Sequence, residues 1–113
     1  MDSNVVCKYS MFKVAGNSMD NGKRGSFENG DSVYAKQFEM DEFRNEILND
    51  IGSYWIFDTI YGLQFGQVME LGDRILCHTL NPDYNNFYVI LDEVKTVYRI
   101  MKLQPKTVYY GKN

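Results

Sequence analysis

Apolar and polar residues alternate along most of this chain. "YSMFKVA", Tyr9 to Ala15, reads as a first strand. A long turn-rich segment follows from Asn17 to Gly30, with Gly16, Gly22, Gly25 and Gly30 among Asn, Asp and Ser. "GDSVYAKQF" opens with a turn and continues as a strand. After Gly52, "SYWIFDTI", "GLQFGQVMEL", "RILCHTL", "NFYVIL" and "TVYRIMKL" predict further strands. Turns at Tyr61-Gly62, Leu71-Gly72-Asp73 and Asn81-Pro82-Asp83 separate them, and "TVYY" is a candidate last strand. The exception is "EMDEFRNEILNDIG". Its Phe43, Ile47 and Ile51, with Met40 and Leu48, fall near one helical face. Asp41 and Glu42 favour that helix's start through the dipole, and Gly52 suits its end. Short strands joined by Gly, Asp and Pro turns predict a mostly β fold: a small, strongly bent antiparallel sheet or barrel with one short, peripheral helix.

Composition sharpens this picture. At 113 residues, one domain spanning 1–113 is expected, with residues 1–8 a flexible start. Aromatics reach 15%, which suits pleated surfaces. The net charge of −3 supplies no basic stripe for phosphates, so no direct nucleic-acid binding by this chain is expected. The two cysteines, Cys7 and Cys77, form no disulfide framework and lack metal-ligand spacing. Both are expected to be small buried hydrophobes. No signal segment or membrane-length apolar run is visible, so a cytoplasmic protein with free thiols and no membrane contact is expected. Neither cofactor nor metal is called for.

"FKVAGNSMDNG", Phe12 to Gly22, carries the candidate chemistry. Ser18 stands at a strand end, where it is either a turn residue or a presented nucleophile. A nucleophile needs a base. The lone histidine, His78, sits inside a strand pattern, with no second clue to a Ser-His-Asp arrangement. The alternative base is a lysine whose pKa burial has lowered.

At this point the residues resemble a known family. "MFKVAGNSMDNGKRGSFENGDSVYAKQF" is similar to the core of the LexA-type peptidases of SOS repressors, phage repressor C-terminal domains and UmuD-like proteins. Gly16, Ser18, Met19, Gly30 and Asp31 match its Gly-x-Ser-Met and Gly-Asp elements. "SYWIFDTIYGLQFGQVMEL" resembles the hairpin that carries the family's lysine, "RILCHTLNPDYNNFYVILDEV" the strand, Asn-containing turn and strand after it, and "VKTVYRIMKL" the closing strand. The resemblance spans about residues 9–104. It implies a LexA C-terminal-domain, signal-peptidase-like fold, Ser18 as nucleophile, and a lysine base at the position Gly66 occupies. Glycine takes no proton, and loss of a dyad partner costs on the order of a million-fold in rate.

The expectation is therefore a catalytically degenerate member, acting in dimerisation and regulation of a repressor-type transcription regulator. One alternative is an active self-cleaving Ser-Lys peptidase with a displaced base drawn from Lys36, Lys95 or Lys102. Another is a peptide-binding module that holds a peptide segment in the degenerate cleft. Tyr54, Trp55, Phe57, Tyr61 and Phe65 form either a hairpin core or that peptide's groove. The resemblance also implies a homodimer that pairs C-terminal strands, and "KTVYRIMKLQPKTVYY" has the β character for edge pairing. Against this, Val97, Tyr98, Ile100 and Leu103 equally suit a core. Only 17 residues precede Ser18, too few for a helix-turn-helix and a cleavage loop together.

Overall fold

The computed structural model describes residues 9–105, with residues 48 and 49 through their backbone alone. Residues 1–8, Cys7, the side chain of Leu48 and the candidate strand "TVYY" lie outside the described residues.

Seven strands form one curled, fully antiparallel sheet. They are β1 (Tyr9–Lys13), β2 (Ser32–Phe38), β3 (Tyr54–Thr59), β4 (Gly62–Leu71), β5 (Arg74–His78), β6 (Phe87–Ile90) and β7 (Val94–Gln104). The spatial order is β1-β2-β7-β3-β4-β5-β6. β3 to β6 form a meander of hairpins. β7 then crosses back and inserts between β2 and β3. The edges of the described sheet are thus β1 and β6. This corrects the edge-pairing expectation for the closing strand: Val97 is fully buried, and Tyr98, Ile100 and Leu103 pack into the core.

The single helix, α1 (Met40–Asn49), follows β2 directly. Glu39 and Glu42 close its first turn as a reciprocal capping box, each carboxylate accepting from the other residue's backbone N–H. Phe43 and Ile47, four residues apart, point inward and are fully buried. Far from being peripheral, this short helix covers the main core. Ile51, expected on the same stripe, is 47% exposed, because the helix has ended at Asp50.

Two clusters fill the two faces of the sheet. On the α1 side, Phe43 stacks edge-on against Trp55 and Phe57, over Val68, Ile75, Cys77, Val89 and Val97. On the other side, the turn-rich segment 14–31 folds back over the strands. Its Val14, Met19 and Phe27 join Val33 of β2 and Ile56 of β3. Since cross-strand partners share a face and successive residues alternate, the pairs Ile56–Phe65 and Trp55–Gly66 assign the two sides unambiguously. Among the described residues, no helix is long and apolar enough to cross a membrane.

The candidate serine turn and position 66

The turn containing Ser18 is built mostly from backbone. Val14 N–H donates to the Asp31 carbonyl and Gly30 N–H to the Val14 carbonyl, both at 2.8 Å, extending the β1–β2 pairing past its last rung. Gly16 (φ +84°) and Gly30 (φ +95°) occupy the left-handed region at the two ends of this segment, where a side chain is strained. Asn29 Oδ1 accepts the Gly16 N–H at 2.8 Å and bridges the two ends. Asp31 is buried, and its Oδ2 accepts the Glu28 N–H at 2.9 Å. The matched glycines and Asp31 thus shape the turn.

Met19 anchors it. The side chain is 1% exposed, inside the cluster with Phe27 and Ile56. Its carbonyl accepts the Phe27 N–H at 2.9 Å. Ser18 is half-buried beside it. The Ser18 carbonyl accepts the Asn81 N–H at 2.9 Å, and Asn81 Nδ2 donates to the Asn17 carbonyl at 2.9 Å. The "LNPDY" turn after β5 therefore grips the serine turn through its backbone. Asn81 also accepts the Asp83 N–H through Oδ1, so one side chain shapes its own turn and docks the other.

Position 66 belongs to the opposite side of the sheet. Phe65, its neighbour, packs edge-on to Phe27 at 4.9 Å between centroids, on the Ser18 side. Gly66 pairs with Trp55 and faces the α1-side core. It opens no gap: a Cβ there would lie 2.8 Å from Cys77 Cβ and 3.1 Å from Phe87 Cζ. The space a lysine stem needs is filled. Ser18 and residue 66 do not meet on one face.

The lysines considered as displaced bases, and His78, make their contacts elsewhere. Lys36 places its Nζ 5.1 Å from the Phe38 ring centroid, on the α1 side. Lys95 reaches Asp58 at 3.9 Å. Lys102 pairs across from Tyr34, away from the Met19 cluster. His78 Nδ1 lies 2.9 Å from Asn86 Oδ1, which also accepts the Thr79 N–H. None of the contacts that Lys36, Lys95 and His78 make here involves Ser18. Burial drives the Cys77 thiol up to about 12, so it stays protonated and unreactive near neutral pH. As expected, Cys77 is a buried free thiol.

The hairpin aromatics divide between the faces. Trp55 and Phe57 lie in the α1-side core, Tyr54 and Phe65 in the Met19 cluster, and Tyr61 is exposed at the hairpin tip. Sequence reading missed Phe65 as the hairpin residue facing the serine turn. Its signal was the alternation Leu63, Phe65, Gln67 against Gly66, Val68. Comparison with known proteins finds no match, either to a protein-family model or to a curated protein.

Proposed function

We propose that this chain is a non-catalytic, dimerising domain of a repressor-type transcription regulator, resembling the LexA-type peptidases but without their chemistry. The observation that carries the non-catalytic reading is the crowding at Gly66. The position at which the resemblance puts the base turns away from Ser18 and is occupied by Cys77 and Phe87. An unassisted serine hydroxyl is a poor nucleophile at neutral pH. What remains of the serine turn is structural: Met19 fills the core, and the Ser18 carbonyl docks Asn81. The regulatory role comes from the resemblance alone.

The test is prolonged incubation of the protein at mildly alkaline pH, where a lysine base would act, followed by intact mass measurement. The wild type and Ser18→Ala are both expected to stay intact. Cleavage of the wild type that Ser18→Ala abolishes would refute the reading and favour a displaced base.

A further inference from the structure

α1 covers only part of its side of the sheet. It lies over β3, β4 and the start of β7, where Trp55, Phe57, Val68 and Val97 are fully buried. Following the rungs outward, Trp55 pairs with Arg99, Arg99 with Lys36, and Lys36 with Tyr9. The same side then carries Met11 beside Tyr34, Tyr34 beside Lys102, and Lys13 beside Ser32. No described element covers these residues. Tyr9 is 54% exposed, Met11 58% and Tyr34 39%. The result is a bare floor of β1, β2 and β7, next to the wall made by α1.

Its charge is one-sided. Lys13, Lys36 and Lys102 stand on the floor with no carboxylate among the paired positions, in a chain of net charge −3. Arg99, at the boundary, is already paired with Glu46 at 2.8 Å and with Asp50. The helix beside the floor has the opposite sign. Glu39, Asp41 and Glu42 crowd its exposed first turn, against a single base, Arg44.

We infer that two copies of this domain pair through this side, each laying the outer face of α1 on the bare floor of the other. Floor and helix lie side by side on one face of the sheet. A two-fold axis in the plane of the helix layer therefore makes both contacts at once. That is an isologous interface, closed at two copies. The two helices form a shared middle layer between two sheets, and the layer spacing of about 10 Å on each side is ordinary. The three lysines meet the partner's acidic first turn, while Tyr9, Met11 and Tyr34 supply the apolar contact that such an interface buries. Ser18 lies on the opposite side of the sheet and stays uncovered. The inference rests on the dimerising part of the proposed function and gives it a surface.

A charge swap tests it. One variant, Lys13→Glu/Lys102→Glu, reverses the floor. The other, Asp41→Lys/Glu42→Gln, reverses the helix while keeping a side chain able to complete the capping box. Circular dichroism establishes that both fold. Sedimentation equilibrium on the order of tens of micromolar should show a wild-type dimer that weakens with added salt. Each variant alone should self-associate at least about tenfold more weakly. Their equimolar mixture should regain wild-type association, because the reversed floor then meets a reversed helix and the two native elements meet each other. Wild-type-like dimers in both variants, or a mixture that stays monomeric, overturns this surface but leaves a dimerising domain standing. A monomeric wild type overturns the surface and the dimerising role together. Ser18-dependent cleavage, by contrast, overturns only the non-catalytic reading.

Discussion

Replacing Gly66 by alanine adds one carbon at the tightest point of the sheet. Gly66 has ordinary extended backbone, so no penalty arises from φ. On conformational entropy alone, Gly→Ala at such a site stabilises by about 0.4–1 kcal/mol. The packing term opposes this. The new Cβ lies 2.8 Å from Cys77 Cβ, an atom tied directly to the β5 backbone, and 3.1 Å from Phe87 Cζ. Phe87 can tilt its ring, but Cys77 Cβ moves only if β5 moves. Overpacking of this kind costs about 1–3 kcal/mol, so the net expectation is destabilisation of about 1–2 kcal/mol. Urea unfolding followed by the fluorescence of Trp55, the cross-strand partner of Gly66, measures it as a lower midpoint at unchanged slope. Cys77→Gly should relieve the clash. In that background, Gly66→Ala is expected to be neutral or stabilising, giving a coupling energy of about 1–3 kcal/mol. A Gly66→Ala variant more stable than the wild type would refute the close approach. It would also return to position 66 the room that a lysine requires.

Two further predictions concern Cys77, beside position 66, and two concern the serine turn. Cys77, in a Cys7→Ser background, should react with a thiol reagent at pH 8 only as fast as the domain opens, and at full speed in denaturant. The raised thiol value also gives a pH dependence: its contribution to stability is complete below the unfolded value of 9.0 and is lost as pH rises toward about 12. Unfolding midpoints measured at successive alkaline pH values should fall across that window in the wild type and less in Cys77→Ala. Ser18→Ala should change stability by less than about 0.5 kcal/mol, because Asn81 holds the Ser18 carbonyl and leaves the hydroxyl out of the contact. Asn81→Ala should cost about 1 kcal/mol in thermal unfolding, because two side-chain hydrogen bonds are lost.

Most of the secondary structure was legible because it depends on local order. β3, β4 and β6 fall within the predicted segments to within a residue or two at each end, since alternation and Gly or Asp turns mark them directly. The helix's inward face was legible at Phe43 and Ile47. Its end was not, because Ile51 continues the apolar spacing after the capping hydrogen bond of Asp50 has already stopped the helix. The strand order was not legible either. Nothing in "TVYRIMKL" says that it pairs with both β2 and β3, and read alone it suits an edge. The same limit applies at the site. The turn around Ser18 is written in its glycines, asparagines and Asp31. The surroundings of Gly66 are set by Cys77 and Phe87, which arrive from other strands. Phe65 is half-buried on one face of β4 and Gly66 buried on the other, and alternation separates the two sides without saying which one the serine turn covers.

The placement of β7 has a consequence for how the domain is made. β1 and β2 form one hairpin, β3 to β6 form a separate meander, and the described rungs contain no direct pairing between the two. Within the sheet β7 alone joins them, and it is the last described strand to leave the ribosome. During synthesis the two pieces have no shared rung to hold them in register. The buried Val97 and the Arg99 link to α1 are missing until residues 94–104 arrive. Contacts between segments so distant in sequence form slowly. Folding of this sheet is thus expected to wait for the closing strand, and a nascent chain halted before residue 94 should remain open to proteases along its whole length.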